Sequence, residues 1–213
     1  MKTPTLKTPT LKTLILVDLQ NDFCKHGALE VPDGNAVVSI ANRLLDKFDL
    51  VVATQDHHPA NHGSFAANHL WRKPGQIIDL HGLQQILWPI HCVAGSFGAE
   101  FVKELHINKI DNIFPKGTNP DIDSYSGFFD NGHRAETGLS AFLKEKGVTE
   151  VYILGLATDY CVKFTALDAV FLGFNTFLIE DACRGVNLQK NDVTDAIKAM
   201  CEKGVHIIQS HEI

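Results

Sequence analysis

The sequence lacks long apolar segments and runs of basic residues. Apolar residues make up 45% of the 213 residues, but they occur in short groups, whereas a membrane-spanning helix needs about 20 in succession. Aspartate and glutamate outnumber lysine and arginine by 25 to 19, for a formal net charge of −6. The composition therefore argues against a membrane-inserted protein and against nucleic acid as a partner.

Paired cysteines are also lacking. The chain has five cysteines, an odd number, and no Cys-x-x-Cys pair: Cys24, Cys92, Cys161, Cys183 and Cys201. This pattern argues against a disulfide framework or a structural zinc knuckle. The N-terminus is polar and rich in Thr and Pro, unlike a signal peptide. These features predict a reducing compartment, the cytoplasm.

A short direct repeat opens the chain. The segment KTPTL occurs at residues 2–6 and again at 7–11, immediately before the first apolar run. We expect residues 1–12 to be a disordered or dispensable leader. Residues 13–213 are of a length that suits one domain with a well-covered core, and no internal boundary is visible.

The rest of the chain alternates between short apolar runs and amphipathic stretches. Strands are predicted at 13–18, 49–54, 111–116, 150–156, 175–179 and 205–209. Helices are predicted at 35–48, 137–146, 160–172 and 191–203. The region from 55 to about 109 is rich in His, Gly and Trp and is interpreted as a long functional loop. The alternation predicts an α/β fold of three layers, with a mostly parallel sheet of about six strands and helices on both faces.

Residues able to do chemistry stand at the ends of four predicted strands. Asp18 ends the first strand, Asp56 follows the second, Lys116 ends the third, and the turn GLATDYC at 155–161 follows the fourth. Ligands of open α/β sheets bind outside the carboxyl ends of the strands. A dinucleotide site is not predicted there, because Asp18 is followed by LQNDF and not by a Gly-x-Gly-x-x-Gly loop.

Cys161 is the candidate nucleophile. It lies at the start of a predicted helix, where free backbone N–H groups favour a thiolate, lower its pKa and can bind an oxyanion. Lys116 would add positive charge, and Asp18 could accept the thiol proton. Nucleophile, base and oxyanion donors together predict amide hydrolysis. The alternative is a small buried cysteine that only packs in the helix.

The histidine-rich loop carries a second signal. Asp56 and His58 are two residues apart, so in an extended segment they point to the same side and could bind one cation. Two imidazoles and a carboxylate suit zinc or ferrous iron. The spacing does not single out a third ligand, although His62 is the nearest candidate. The alternative is a solvated loop whose histidines bind nothing.

Five motifs together resemble the isochorismatase-like cysteine hydrolases, from about Leu14 onward. They are LVDLQNDF at 16–23, TQDHHPANHGSFA at 54–66, WPIHCVAGSFGAEF at 88–101, PKG at 115–117 and GLATDYCVKFTALDA at 155–169. The metal motif is similar to that of the members that hydrolyse nicotinamide. The resemblance implies the isochorismatase-like fold with a Rossmann-like strand order.

The resemblance also implies roles for particular residues. It implies a catalytic triad of Asp18, Lys116 and Cys161. It implies one divalent metal ion, zinc or iron, that positions the substrate and is held by Asp56, His58 and His91, with Ser64 supporting the water shell of the ion. The oxyanion would be bound by the N–H groups of Ala157 and Cys161. A cis peptide bond is expected between Ala157 and Thr158.

The substrate implied by the resemblance is nicotinamide, hydrolysed to nicotinate and ammonia in NAD salvage, with pyrazinamide as a further substrate. Phe23, Trp88 and Tyr125 would hold the pyridine ring by aromatic contacts; alternatively, they only pack the loops. One competing hypothesis is another small-carboxamide or carbamoyl amidase on the same scaffold. Another is a metal- or redox-sensing binding protein that uses the same Cys and His residues. The sequence favours neither a monomer nor a homo-oligomer.

Overall fold

The computed structural model describes residues 11–213. Within this range the strands are β1 (Lys12–Val17), β2 (Leu50–Asp56), β3 (Ile77–Leu80), β4 (Leu83–Ile86), β5 (Asn112–Lys116), β6 (Glu150–Leu156), β7 (Asn175–Arg184) and β8 (His206–Ile208). The α-helices are α1 (Gly34–Leu44), α2 (Leu139–Glu145), α3 (Lys163–Phe171) and α4 (Asp192–Glu202).

Six of the strands form one parallel sheet in the order β5-β2-β1-β6-β7-β8. The chain starts in the middle of the sheet, builds outward to β5, and then returns to the other side of β1 with β6. The predicted α/β fold with six parallel strands in a Rossmann-like order is therefore confirmed. The order reverses between β1 and β6, and this switch point is where open α/β sheets place their ligands.

Burial explains why the central strands read as continuous apolar runs. Leu14, Ile15, Leu16 and Val17 of β1 are all inaccessible to solvent, as expected for a parallel strand covered on both faces. Helix α1 buries one stripe of residues spaced three or four apart, namely Gly34, Val37, Val38, Ala41 and Leu44. This helix packs on β6 and β7, α3 packs on β7, and α4 contacts α3 and β8.

Two parts of the sequence prediction need revision. The region from 55 to 109 contains an antiparallel hairpin, β3–β4, joined by a two-residue turn in which His81 and Gly82 both have positive φ angles. The predicted helix at 160–172 instead begins with one π-type turn, Thr158–Val162, before α3. The other predicted helices and strands are found, with ends shifted by a few residues, and β7 extends five residues further, to Arg184.

The N-terminal leader was predicted at residues 1–12. Residues 1–10 lie outside the described range. Lys12 is the first residue of β1, and Leu11 packs partly buried against the core. Across residues 11–213, none of the helices combines the length and the apolar character needed to cross a bilayer.

The central strand β6 supplies a test of the core. Leu154 is fully buried, so Leu154→Ala should lower the free energy of unfolding by about 2–5 kcal/mol through lost apolar burial and the cavity that remains. Urea denaturation measures this change. Leu70→Ala is the control, because Leu70 is 88% exposed and its replacement should leave stability within about 0.5 kcal/mol. Equal effects of the two variants would contradict the placement of β6 in the core.

Candidate active site

Strand register brings Lys116 between two carboxylates at the carboxyl edge of the sheet. Asp56 and Lys116 are direct partners in the pairing of β2 with β5, and Asp18 follows β1, the neighbour of β2. Lys116 Nζ lies 2.9 Å from Asp18 Oδ2 and forms a close ion pair with Asp56 Oδ1. It also donates to the Ser124 carbonyl at 3.0 Å.

The thiol of Cys161 belongs to the same cluster. Lys116 Nζ lies 3.3 Å from Cys161 Sγ, and Sγ lies within 4.8 Å of a carboxylate oxygen of both Asp18 and Asp56. Thr54 donates its hydroxyl to Asp18 Oδ1 at 2.6 Å. Asp18 Oδ2 is buried and receives no hydrogen bond from residues 11–213, since its contact with Lys116 has ion-pair distance but not hydrogen-bond geometry. Asp18 Oδ2 is therefore an acceptor available to the thiol proton.

Burial sets the protonation states of this cluster. It raises the pKa of Cys161 well above its ordinary value, against the opposing effect of Lys116, and it also raises the pKa of Asp18. The expected lowering of the Cys161 pKa is thus wrong for this buried site, because loss of hydration outweighs the nearby positive charge. A neutral thiol next to a carboxylate that has become a better base is an arrangement suited to proton transfer.

Lys116 and Asp56 stay charged. Burial by itself lowers the pKa of Lys116, but Asp18 and Asp56 more than offset it and hold that pKa well above the ordinary value. Burial by itself raises the pKa of Asp56, but Lys116 and His58 reverse the direction and hold it well below the ordinary value. With Asp18 ionised, two carboxylates and one ammonium leave a negative charge that a divalent cation would offset.

The predicted metal ligands converge beside this cluster. Residues 58 and 93 form a short parallel bridge, which brings the loop carrying His91 next to the end of β2. Nε2 of His58 and of His91 lie 3.4 and 3.6 Å from Asp56 Oδ2. All three residues are buried.

The orientation of both imidazoles fits a metal ion. His58 Nδ1 donates to the Gly117 carbonyl at 2.9 Å, and His91 Nδ1 donates to the Pro89 carbonyl at 2.8 Å. A carbonyl can only accept, so Nδ1 carries a proton in each ring and Nε2 is the nitrogen that faces Asp56; backbone carbonyls commonly orient metal-binding histidines in this way. His58 Nε2 is buried and has no hydrogen-bond partner in the part of the chain that the structure describes. The donor set therefore fits a divalent cation.

Gly117 makes this orientation of His58 possible. Its φ angle is +63°, and a Cβ atom at this position would lie 2.3 Å from His58 Cε1. Only glycine allows the backbone to approach the ring so closely while adopting a positive φ angle. The glycine of the PKG motif is thus explained by the histidine that it contacts.

The pocket in front of Cys161 is narrow, and aromatic side chains line part of it. The three predicted ring-binding residues, Phe23, Trp88 and Tyr125, all line it, as do the metal-ligand candidates and Ala157. Tyr125 is held in place because its hydroxyl accepts from Trp88 Nε1 at 3.1 Å and from Gln85 Nε2 at 3.2 Å. The cavity of about 30 Å³ favours a small, flat ligand over a large one.

The turn before Cys161 differs from the prediction in one bond. The cis peptide bond joins Leu156 to Ala157, one residue earlier than the expected Ala157–Thr158 bond. It therefore connects the last residue of β6 to the turn. Ala157 and Cys161, the predicted oxyanion donors, both line the pocket.

Ser64 was predicted to support the water shell of the ion. Its hydroxyl lies 2.7 Å from His62 Nδ1, and its backbone N–H donates to the same nitrogen at 3.2 Å. Ser64 thus contacts His62 directly. Burial lowers the pKa of His62 to about 4, so this ring is neutral at pH 7.

Several supporting residues were not identified from the sequence. Gln20 binds the backbone of Asp56 on both sides, donating to its carbonyl and accepting from its N–H, each at 2.8 Å. Asp22 accepts from the Cys92 N–H at 2.7 Å and so fixes the residue after His91. Their positions in the LVDLQNDF motif were the available signal. Four further residues line the pocket: Leu29, Asp123, Tyr160 and Val186.

Known proteins of similar sequence identify the family of this chain. A family model described as "Isochorismatase domain" matches residues 12–212. The chain belongs to the isochorismatase family. Within that family, it is 51% identical over 197 residues to the nicotinamidase of Escherichia coli (strain K12). The aligned residues cover 90% of this chain and 91% of the relative.

Two solved structures of the isochorismatase family are also similar. A structure named as an Acinetobacter baumanii nicotinamidase pyrazinamidase has a TM-score of 0.93 and 45% identity, covering 97% of this chain and 99% of that one. The pyrazinamidase of Pyrococcus horikoshii, solved in complex with zinc, has a TM-score of 0.75 and 39% identity, covering 93% of this chain and 98% of that one.

The central position of Lys116 leads to a stability test. Lys116→Met leaves two buried carboxylates without their cation, so we expect the free energy of unfolding to fall by about 3–5 kcal/mol. Chemical denaturation at pH 7 provides the measurement. Lys109→Met is the control: the ion pair of Lys109 with Asp46 lies at the surface, where solvent screening limits its contribution to at most about 1 kcal/mol. A Lys116 variant as stable as this control would refute the central role of the ion pair.

Proposed function

We propose that this protein hydrolyses nicotinamide to nicotinate and ammonia through a covalent thioester on Cys161. The observation that carries the proposal is the contact of Lys116 with Asp18, Asp56 and Cys161, which joins a nucleophile and its base to a set of metal ligands. The pocket beside them is lined by aromatic residues. The names of the similar proteins supply the substrate: nicotinamide, with pyrazinamide as a second amide.

The reaction begins with proton transfer from the Cys161 thiol to Asp18. The sulfur attacks the carbonyl carbon of the amide, and the oxyanion that forms is bound by the N–H groups of Ala157 and Cys161. Asp18 then gives the proton to the leaving nitrogen, and ammonia departs as the thioester forms. Water activated by Asp18 attacks the thioester, releases nicotinate and restores the thiol.

Lys116 acts on two of these groups. Its ammonium stabilises the developing thiolate at 3.3 Å and keeps Asp18 oriented through the ion pair. Phe23, Trp88 and Tyr125 hold the aromatic ring by offset and edge contacts, which contribute about 0.5–1.5 kcal/mol each. Holding the ring fixes the amide carbon near the sulfur, which is a proximity effect.

Asp56, His58 and His91 would hold one divalent cation. Two imidazoles and a carboxylate suit zinc or ferrous iron, and the zinc complex of the Pyrococcus horikoshii pyrazinamidase supports zinc. A cation there supplies a positively charged coordination position that binds and orients a donor atom of the substrate. In this proposal Ser64 supports the metal site by holding the His62 side chain in place.

The cellular setting is part of the same proposal. All five cysteines are free, and four of them are buried, which supports a reducing compartment such as the cytoplasm. Hydrolysis of nicotinamide would serve the salvage of the pyridine ring for NAD synthesis.

Cys161→Ala tests the nucleophile. Purified wild-type protein should release ammonia from nicotinamide, and the variant should release it only at the background rate, because no thioester can form. The assay follows ammonia with time, and circular dichroism verifies that the fold is retained. Cys201→Ala is the control, because Cys201 is exposed and far along the chain on α4. Turnover by the Cys161 variant, or a wild-type protein that acts only on carbamoylated substrates, would refute the proposal.

His58→Ala tests the metal ligands. The variant should lose bound zinc or iron in elemental analysis and lose turnover with it, since one of three protein ligands is gone. Chelation of the wild-type protein should give the same loss, reversed by adding the metal back. His69→Ala is the matched control, because the His69 side chain hydrogen-bonds to the Gly63 carbonyl and the variant should keep both metal and activity. Full metal content in the His58 variant would show that the ligand set is wrong.

A further inference from the structure

His62 has a buried donor that the proposed reaction does not use. The backbone N–H of Ser64 points at His62 Nδ1, and an N–H can only donate, so Nδ1 must accept. The proton of the neutral ring is therefore on Nε2. Nε2 is buried and has no hydrogen-bond partner within the described range, 11–213, and the residue is fully shielded from solvent. A buried N–H without an acceptor costs about 1–3 kcal/mol, so a partner for it is expected.

Asp123 is a buried acceptor close to this donor. Its carboxylate accepts from Gln85 Nε2 at 2.9 Å and from the Ser124 N–H at 2.8 Å. Within residues 11–213 no cationic side chain lies within ion-pair distance of it. Asp123 is 3% exposed and lines the cavity in front of Cys161. Each carboxylate oxygen therefore accepts from one N–H group and can accept a further hydrogen bond.

Among residues 11–213, His62 and Asp123 lie near each other but form no direct hydrogen bond or ion pair. One ring nitrogen of His58, one of His62 and a carboxylate oxygen of Asp123 lie within 4.8 Å of one another. A direct hydrogen bond requires about 2.7–3.2 Å, whereas a water that bonds to both groups spans up to about twice that distance. The rings of His58 and His62 are also adjacent, with centroids 4.3 Å apart.

We propose that His62 and Asp123 bind an ordered water between them, beside the ion held by Asp56, His58 and His91. The water accepts from His62 Nε2–H and donates to the Asp123 carboxylate. Its remaining lone pair is available to the ion. His62 and Asp123 are thus positioning residues that act through solvent, and Ser64 contributes by fixing the tautomer of His62. The inference rests on the proposed metal site and adds two residues to its surroundings.

Replacing each partner separately provides the test. His62→Asn keeps an oxygen near the position of Nδ1, able to accept from Ser64, but it removes the Nε2 donor. Asp123→Asn keeps the shape and an oxygen for Gln85 but removes the charge. Groups that orient metal sites from outside the ligand set affect metal affinity by about 10–100-fold. We expect each variant to bind zinc and cobalt that much more weakly than wild type.

Cobalt provides a readout that a merely structural role would not change. The visible absorption spectrum of the cobalt-loaded protein reports the coordination of the ion and should differ from wild type in both variants. Two controls should match wild type in affinity and spectrum. His69→Asn alters a histidine of the same loop whose side chain hydrogen-bonds to the Gly63 carbonyl. Asp130→Asn alters a buried carboxylate that accepts from the N–H groups of Gly132 and Arg134.

The outcomes separate the inference from the function on which it rests. If wild-type protein binds no stoichiometric metal, the proposed metal site is wrong and the water site falls with it. If wild type binds metal but both variants share its affinity and spectrum, only the water site is overturned. Circular dichroism verifies folding, and if one variant does not fold, the other decides the question in the same way.

Discussion

The ammonium of Lys116, held between two buried carboxylates, is the interaction on which the site depends. A buried charge without a partner lowers the stability of the folded state, and two buried carboxylates without a cation would lower it further. One side of the ammonium contacts Asp18 and the thiol of Cys161, and the other contacts the metal-ligand candidate Asp56. The candidate catalytic residues and the candidate metal ligands therefore share one ion-pair cluster, and moving either set would disturb the other.

Much of the fold could be predicted because its signals are local. Buried parallel strands read as short apolar runs, and helices read as apolar stripes three or four residues apart. The hairpin β3–β4 was missed because its strands have four residues each and lie mostly at the surface, where an apolar pattern is weak. The pair His81-Gly82 between two β-rich segments was its usable signal.

The site was predictable to the extent that it follows from topology. Asp18, Lys116 and Cys161 stand at strand ends, and a parallel sheet brings such ends together. Gln20 and Asp123 could not be found in this way, because neither stands at the end of a strand: Gln20 lies three residues after β1, and Asp123 lies in the loop between β5 and α2. The pKa of Cys161 was predicted in the wrong direction for a related reason. The sequence indicates which charged residues lie near Cys161, but the burial of the site determines how strongly they shift its pKa.

The position of β5 at the end of the sheet has a consequence for how the protein loses activity. Lys116 is the last residue of this strand, which among residues 11–213 pairs along one side only, with β2. Edge strands open more readily than central ones, in fluctuations that leave the rest of a domain intact. Conditions that speed amide hydrogen exchange in β5 should therefore also lower catalytic activity. Mild denaturing conditions would then separate Lys116 from its ion-pair partners and abolish activity while β1 and β6 remain folded.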